Sequence, residues 1–439
     1  MILEEYLKQD AIRYADKTAV ICKDEQLSYG ELYARVTSRV HDFENSGLKR
    51  NQIVTLRSSQ SIDFLVDYFA LHIVGCVVAP LERDMPEELF GQISGYLSSQ
   101  TAPEGTADIL YTTGTTGKSK GVMISHRTII ADAENLIDGQ GFSHDLAFVI
   151  NGPLNHIGSL SKIYPVILLG ATIIIVDGIK NADDFFNAFN YPFTKYATFL
   201  VPASIRILIQ LSSSRLADLQ DKIDFIETGA AAISQDDMLK LCQLLPKSRL
   251  YNTYASTETG IISTYNFNDG KCVAGCLGRP MKHSQIIITQ DGLISCKGET
   301  LMTGYVGEPE RTATILKNDT IYTADLGRLD ENGMLHLSGR EDDVINVGGF
   351  KVAPLEVEDA ALSYPDVADC ICISVKHPIT GSALKLLVVT TGEVALEKRK
   401  LALFLKSKLE QHKIPLLYEQ VKEVKRTYNG KLDRKFYRT

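Results

Sequence analysis

Several things are scarce in this 439-residue sequence, and most of the gaps exclude something. Tryptophan is absent, which decides nothing about the fold by itself. Long apolar runs are missing: the most apolar stretch, Ile163 to Val176, is broken by Pro165 and Gly170 and is too short to span a bilayer. The first residues, MILEEYLKQD, are acidic and lack a secretory apolar core, so a soluble, cytoplasmic protein is expected. The eight cysteines are scattered at 22, 76, 242, 272, 276, 296, 370 and 372. Cys272 and Cys276 enclose three residues, but no second pair or neighbouring histidine completes a zinc-ligand spacing. Cys370 and Cys372 lie two apart in VADCICISV, which puts both on one face of a strand as small core residues. No internal repeat is visible. With 44% hydrophobic and 23% charged residues, wholesale disorder and collagen-like structure are excluded.

Positive charge is also short, and unevenly placed. The net charge is −8, yet residues 397–439 hold 13 Lys/Arg against 5 Asp/Glu, so a +8 tail follows a −16 body. Such an acidic bulk argues against a nucleic-acid partner. The basic tail implies a local anionic partner; its plainer reading is a solvated, lysine-rich helix face.

What is present is a βα texture. Leu32, Val36, Val40 and Phe43 recur at helical spacing. Short β-branched runs then alternate with helical patterns: IVTLRS, GCVVAP, ADILYTT, GATIIIVD, ATFLVPAS and DFIETG. This predicts βαβ units and largely parallel sheets. After about residue 270 strands and turns dominate, with QDGLIS and ENGMLHLS reading as hairpins. Residues 344–439 read as a compact α+β unit: a helix at Glu356–Leu362, strands at 367–375 and 384–391, and a helix whose apolar face is Leu401, Leu405 and Leu409. The predicted fold class is therefore α/β. A body at 1–341 combines parallel-sheet βα subdomains with a β-rich subdomain, and a small, mobile α+β domain follows at 342–439.

The sharpest chemical signal is YTTGTTGKSKG at 111–121, with three Gly, five Thr/Ser and two Lys directly after a strand. Glycines free the backbone amides to face an anion, and hydroxyl and ammonium groups add donors, which makes a phosphate cradle. A P-loop is excluded because that motif needs glycine where Thr112 stands.

This loop resembles the phosphate loop of the adenylate-forming superfamily: acyl-CoA synthetases, nonribosomal-peptide adenylation domains and luciferases. Eight further segments resemble family motifs in the family's order. They are LSYGEL (27–32), GCVVAPL (75–81), TGAAAIS (228–234), YNTYASTETG (251–260), GETLMTGYVGEPERT (298–312), YTADLGRLDENG (322–333), GREDDVINVGGFKVAPLEVE (339–358) and RTYNGKLDR (426–434).

The resemblance implies a role for each matched residue. Thr112, Thr113, Gly114, Thr115, Thr116, Gly117 and Lys120 would cradle the ATP phosphates. Tyr254 would stack on adenine, with Gly229, Ala230 and Ala231 as a small-residue turn that lets a flat base approach. Asn252 belongs to the same nucleotide and acid pocket. Thr257 would meet the α-phosphate, and Glu258 would be a hard oxygen ligand for Mg²⁺. Asp325 would accept the ribose hydroxyls, and Arg340 would lie near ribose and phosphates. Asp342 falls at the hinge position, and Lys431 matches the lysine that bridges carboxylate and α-phosphate. VGGFK (347–351), ending at Lys351, would turn inward to admit a thiol. The plainer readings are a core tyrosine for Tyr254, an Asx turn for Asp325 and a surface ion pair for Arg340.

The implied activity uses ATP and Mg²⁺ to convert a carboxylic acid to an acyl-adenylate, with pyrophosphate leaving, then passes the acyl group to CoA or a carrier protein's phosphopantetheine thiol. His156 stands where amino-acid-activating relatives carry an aspartate, so a neutral acyl or aryl acid is expected. His156 is equally readable as a structural histidine. A catalytically silent nucleotide-binding relative is the alternative from another class. One departure stands out: only 28 residues separate Leu81 from Leu110, where relatives place several tens more, including a βα unit. The exposed sheet edge this leaves suggests a homo-oligomer or a partner that covers it.

Overall fold

Helices and parallel strands alternate through the first half of the chain, each with a local cause. The computed structural model describes residues 1–112, 120–179, 181–378, 381–392, 394–426 and 432–437. Helix Tyr29–Asn45 opens on Ser28, whose Oγ accepts from the Glu31 amide while the Glu31 carboxylate accepts from the Ser28 amide. This reciprocal cap satisfies two amides that the first helical turn would otherwise leave unpaired. Leu32, Val36 and Val40 are buried along one face, as their spacing predicts. Helix Ile62–Val74 is capped by Ser61 and stops at Gly75, whose φ of 88° suits glycine.

Among the described residues the main sheet has 14 strands. Its parallel centre runs, in spatial order, Arg249–Ser256, Ile223–Thr228, Lys195–Phe199, Leu146–Ile150, Thr172–Ile175 and Thr18–Cys22. Beyond Arg249–Ser256 it turns antiparallel through Gly260–Asn266 and Cys276–Pro280. It then continues into Leu335–Arg340, Thr320–Leu329, Leu293–Gly298 and Ser284–Ile288. Both predicted hairpins lie here, with Ile288 opposite Ile294 and Leu329 opposite Leu335.

Among the described residues, a second sheet of five strands holds Ile53–Arg57, Val77–Leu81 and Thr106–Thr112 in parallel, then Lys120–Ser125 and Gly304–Tyr305 antiparallel. Ile53–Arg57 is one edge and Gly304–Tyr305 the other. The short segment after Leu81 forms helix Glu87–Ser98, of which only Leu97 is buried.

Residues 345–405 close their own apolar core, in which Cys370 and Cys372 are both buried with Leu384, Leu386, Leu401 and Leu405. Among the described residues this unit's strands are Val367–His377, Gly381–Thr390 and Leu417–Gln420 in one sheet, with Ile345–Val347 paired to Phe350–Val352. Leu409 lies just beyond helix Lys398–Lys406 and is partly buried. One arginine ties this unit to the body: Arg206 bonds Asp237 at 2.8 Å and Asp369 at 3.2 Å. Asp369 also receives Arg426 at 2.7 Å, and Arg434 pairs with Glu358 at 2.6 Å and Asp343 at 3.2 Å.

Candidate active site

The C-terminal ends of parallel strands are where open α/β sheets bind ligands, because loops diverge there and leave a crevice. Strand Ile223–Thr228 ends at such a point. A Cβ on the next residue, Gly229, would lie 2.9 Å from the Thr253 carbonyl oxygen, so this close approach requires glycine. Ala230 follows with φ of 66°, in the left-handed region that a side chain seldom adopts. The Phe199 ring sits between two glycines, 3.2 Å from a Cβ built on Gly158 and 3.7 Å from one on Gly229.

Three expected nucleotide residues meet at one carboxylate. Asp325 stands opposite Arg340 in the pairing of Thr320–Leu329 with Leu335–Arg340. Arg340 Nε is 3.5 Å from Asp325 Oδ1, and the Tyr254 hydroxyl donates to Oδ2 at 2.8 Å. Asp325 is thus in a strand rather than an Asx turn. Tyr254 is 6% exposed and packs in the main core. Burial, and then Asp325, push its hydroxyl well above the usual phenol range, so it stays a donor.

A second group forms around Tyr305. The Tyr305 hydroxyl donates to Glu258 Oε1 at 2.9 Å. The Lys120 ammonium lies 3.5 Å from the same hydroxyl and 5.0 Å from the ring centroid, with Arg311 5.7 Å from that centroid. Burial holds the Lys120 ammonium below the usual lysine range, and Glu258 opposes this. Among the described residues nothing bonds Glu258 Oε2, and the side chain is only partly buried. A half-buried carboxylate with one oxygen fixed and the other unbonded fits a hard divalent cation.

The remaining candidates are spread more widely. Thr112 pairs with Lys120 across the hairpin, whereas Thr113, Gly114, Thr115, Thr116 and Gly117 lie outside the described residues. So does Lys431. Asn252 is buried, and its amide donates to the Cys276 carbonyl at 3.0 Å. Thr257 and Ala231 are half-buried in the turns beside Glu258 and Gly229. His156 precedes the short helix Ile157–Leu160, and its amide donates to the Pro153 carbonyl. Asp342 sits in the single helical turn Glu341–Asp343 right after Arg340. Lys351 is exposed on strand Phe350–Val352, beyond the Gly348–Gly349 turn.

Two features escaped the sequence reading. Lys162 and Glu227 form an ion pair at 2.7 Å with both side chains 1% exposed, and the ammonium lies 5.3 Å from the Phe199 ring centroid. The signal was a lysine inside the apolar stretch LSKIYPVILLG. Tyr305 was present in a quoted motif, but nothing in its spacing singles it out.

Comparison with known proteins identifies the family. A family model described as AMP-binding enzyme matches residues 7–95 and 92–306, and one described as AMP-binding enzyme C-terminal domain matches 356–431. The first match divides at 92–95, inside the shortened segment. A 2-succinylbenzoate–CoA ligase of Bacillus cereus is 26% identical, over 99% of this chain and 98% of its own length. Its counterpart from Bacillus mycoides is 25% identical at the same coverage. Among solved structures, ATP-bound MatB from Rhodopseudomonas palustris superposes with a TM-score of 0.88 at 22% identity, covering 100% of this chain and 99% of its own. The o-succinylbenzoate CoA synthetase of Bacillus subtilis, with its acyl-adenylate intermediate, gives 0.84 at 21% identity, covering 99% and 98%. With family models matching most of its length, this chain belongs to the AMP-binding enzymes, the adenylate-forming family that its motifs resemble.

Proposed function

We propose that this enzyme is an acid–thiol ligase. It activates a carboxylic acid with ATP to an acyl-adenylate, releases pyrophosphate and transfers the acyl group to CoA. The observation that carries this reading is that Lys120 and Glu258, distant in sequence, converge on the Tyr305 hydroxyl. The names of the Bacillus relatives support CoA as acceptor and an aryl acid as one substrate class.

The mechanism follows from charge. A carboxylate must approach the α-phosphorus of ATP although both are anionic, so fixed cations have to offset the repulsion. Lys120 and the phosphate loop would hold the phosphates. Asp325 would take the ribose hydroxyls, Tyr254 would meet adenine, and Arg340 would lie near ribose and phosphates. Thr257 would meet the α-phosphate, and Glu258 would hold Mg²⁺, which when bound screens the charge that develops on pyrophosphate. Lys431 would bridge the acid and the α-phosphate.

The carboxylate would attack phosphorus as the bond to pyrophosphate breaks. The thiol sulfur, giving up its proton, would then attack the acyl carbon, and AMP leaves. Residues 342–439 would act as a cap that turns about Asp342, withdrawing Lys431 and presenting Lys351 and the Gly348–Gly349 turn to the thiol. His156 and the Phe199 ring, closed in by Gly158 and Gly229, favour a neutral acyl or aryl acid over an α-amino acid.

The test is pyrophosphate release with Mg-ATP across short, long, aryl and amino acids, with hydroxylamine as trap, then thioester formation with CoA or a holo carrier protein. Orthophosphate release would point to an ATPase, and nucleotide binding without turnover to a silent relative. Carrier-protein loading remains the second acceptor to compare. A strict monomer by light scattering would remove the proposed covering of the sheet edge.

A further inference from the structure

We propose that Tyr305 is a positioning residue that readies Glu258 for the divalent cation and Lys120 for the nucleotide phosphates. The inference rests on the reading of Glu258 as the magnesium ligand, and it adds a residue to which no role was attached. Three observations converge on it. The hydroxyl donates to one Glu258 oxygen at 2.9 Å and leaves the other unbonded among the described residues. The ring carries the Lys120 ammonium 5.0 Å from its centroid and the Arg311 guanidinium at 5.7 Å. The backbone around Tyr305 is pinned: its amide donates to Thr312 Oγ1 at 2.9 Å, and it pairs with Val122 on the strand that begins at Lys120.

The physical consequence concerns competition. A lysine and a glutamate this close would otherwise close on each other as a direct ion pair, using up the carboxylate that must bind metal and the ammonium that must meet phosphate. Tyr305 stands between them. Its hydroxyl satisfies Glu258 with a neutral donor, and its π face offers Lys120 a weaker partner than a carboxylate. Both groups stay available.

The experiment is calorimetric binding of α,β-methylene ATP, which cannot be cleaved at the α-phosphorus, in excess EDTA and at graded magnesium. Wild type is compared with Tyr305→Phe, Tyr305→Leu, Glu258→Gln and the Tyr305→Phe/Glu258→Gln pair. Tyr305→Phe keeps the ring. Losing the hydroxyl should reduce the magnesium-dependent gain about tenfold, the worth of a charge-assisted hydrogen bond. Tyr305→Leu removes the ring as well and should also weaken binding in EDTA about threefold.

The paired variant should be no worse than Glu258→Gln alone, because both changes act through one carboxylate. A Tyr305→Phe magnesium curve that overlays wild type, or strict additivity in the pair, would overturn the proposal. Thermal melts identify any variant that has lost its fold, and Tyr305→Phe, which keeps the ring's volume, carries the decision. If wild type shows no magnesium-dependent gain and Glu258→Gln changes nothing, the reading of Glu258 itself fails. If both are seen but no acid yields pyrophosphate, only the proposed activity fails.

Discussion

Replacing Lys162 with methionine should expose how much its buried ion pair with Glu227 matters. Lys162 and Glu227 are 2.7 Å apart and each 1% exposed, so removing the ammonium leaves a carboxylate with no charge to balance it. A buried charge stripped of its partner typically costs about 3–5 kcal/mol. The cost has a ceiling, because the protein can instead bind a proton. Protonating a glutamate costs about 1.4 kcal/mol for each pH unit above its ordinary value near 4.3, or about 4 kcal/mol at pH 7 and about 2 at pH 5.5.

Asp132 reinforces the trend. Burial pushes its carboxyl up to about 7, and Lys162 opposes that, so losing the lysine favours the protonated form further. Lys162→Met should therefore destabilise the chain about 2 kcal/mol more at pH 7 than at pH 5.5. Lys162→Met/Glu227→Leu should recover most of the loss, since apolar groups of similar volume replace buried pairs at little cost. With no tryptophan in the chain, urea unfolding is best followed by far-UV circular dichroism. A loss equal at both pH values, or a double variant as unstable as the single one, would refute the reasoning.

Other predictions concern the network under the first helix, the Gly229 turn and Lys431. Burial disfavours a charge on His72, but the Glu4 and Asp108 carboxylates at 2.7 and 3.3 Å outweigh it and raise the imidazole from 6.5 to about 10. A folded-state value above the unfolded one means stabilisation that is full below about 6.5 and lost as pH rises through about 10. His72→Gln should remove that part of the alkaline fall in melting temperature, and an unchanged profile would contradict it. Gly229→Ala should cost about 1–3 kcal/mol and raise KM for ATP, because its Cβ would press on the Thr253 backbone oxygen at 2.9 Å. A melt and KM like wild type would count against this. Lys431→Ala should abolish pyrophosphate release yet still make thioester from supplied acyl-adenylate, and equal loss of both steps would remove its assigned role.

Much of this enzyme was legible along the chain. The βα alternation, the hairpins after residue 270 and the buried Cys370–Cys372 face depend on periodicities of 3.6 and 2, which neighbouring residues set locally. The family motifs were legible because each is a short contiguous run. The sequence also located the shortened segment, and the family match divides there.

Tertiary structure alone decided which distant residues share a partner. Asp325 meets Tyr254 and Arg340, Glu258 and Lys120 meet at Tyr305, and Lys162 is buried against Glu227. It also placed Tyr254 in the core and Asn252 on the Cys276 carbonyl. The reason is physical: whether a polar group is costly, neutral or reactive depends on the solvent and charges around it after packing. A run of amino acids records the group but not the neighbour that the fold will give it.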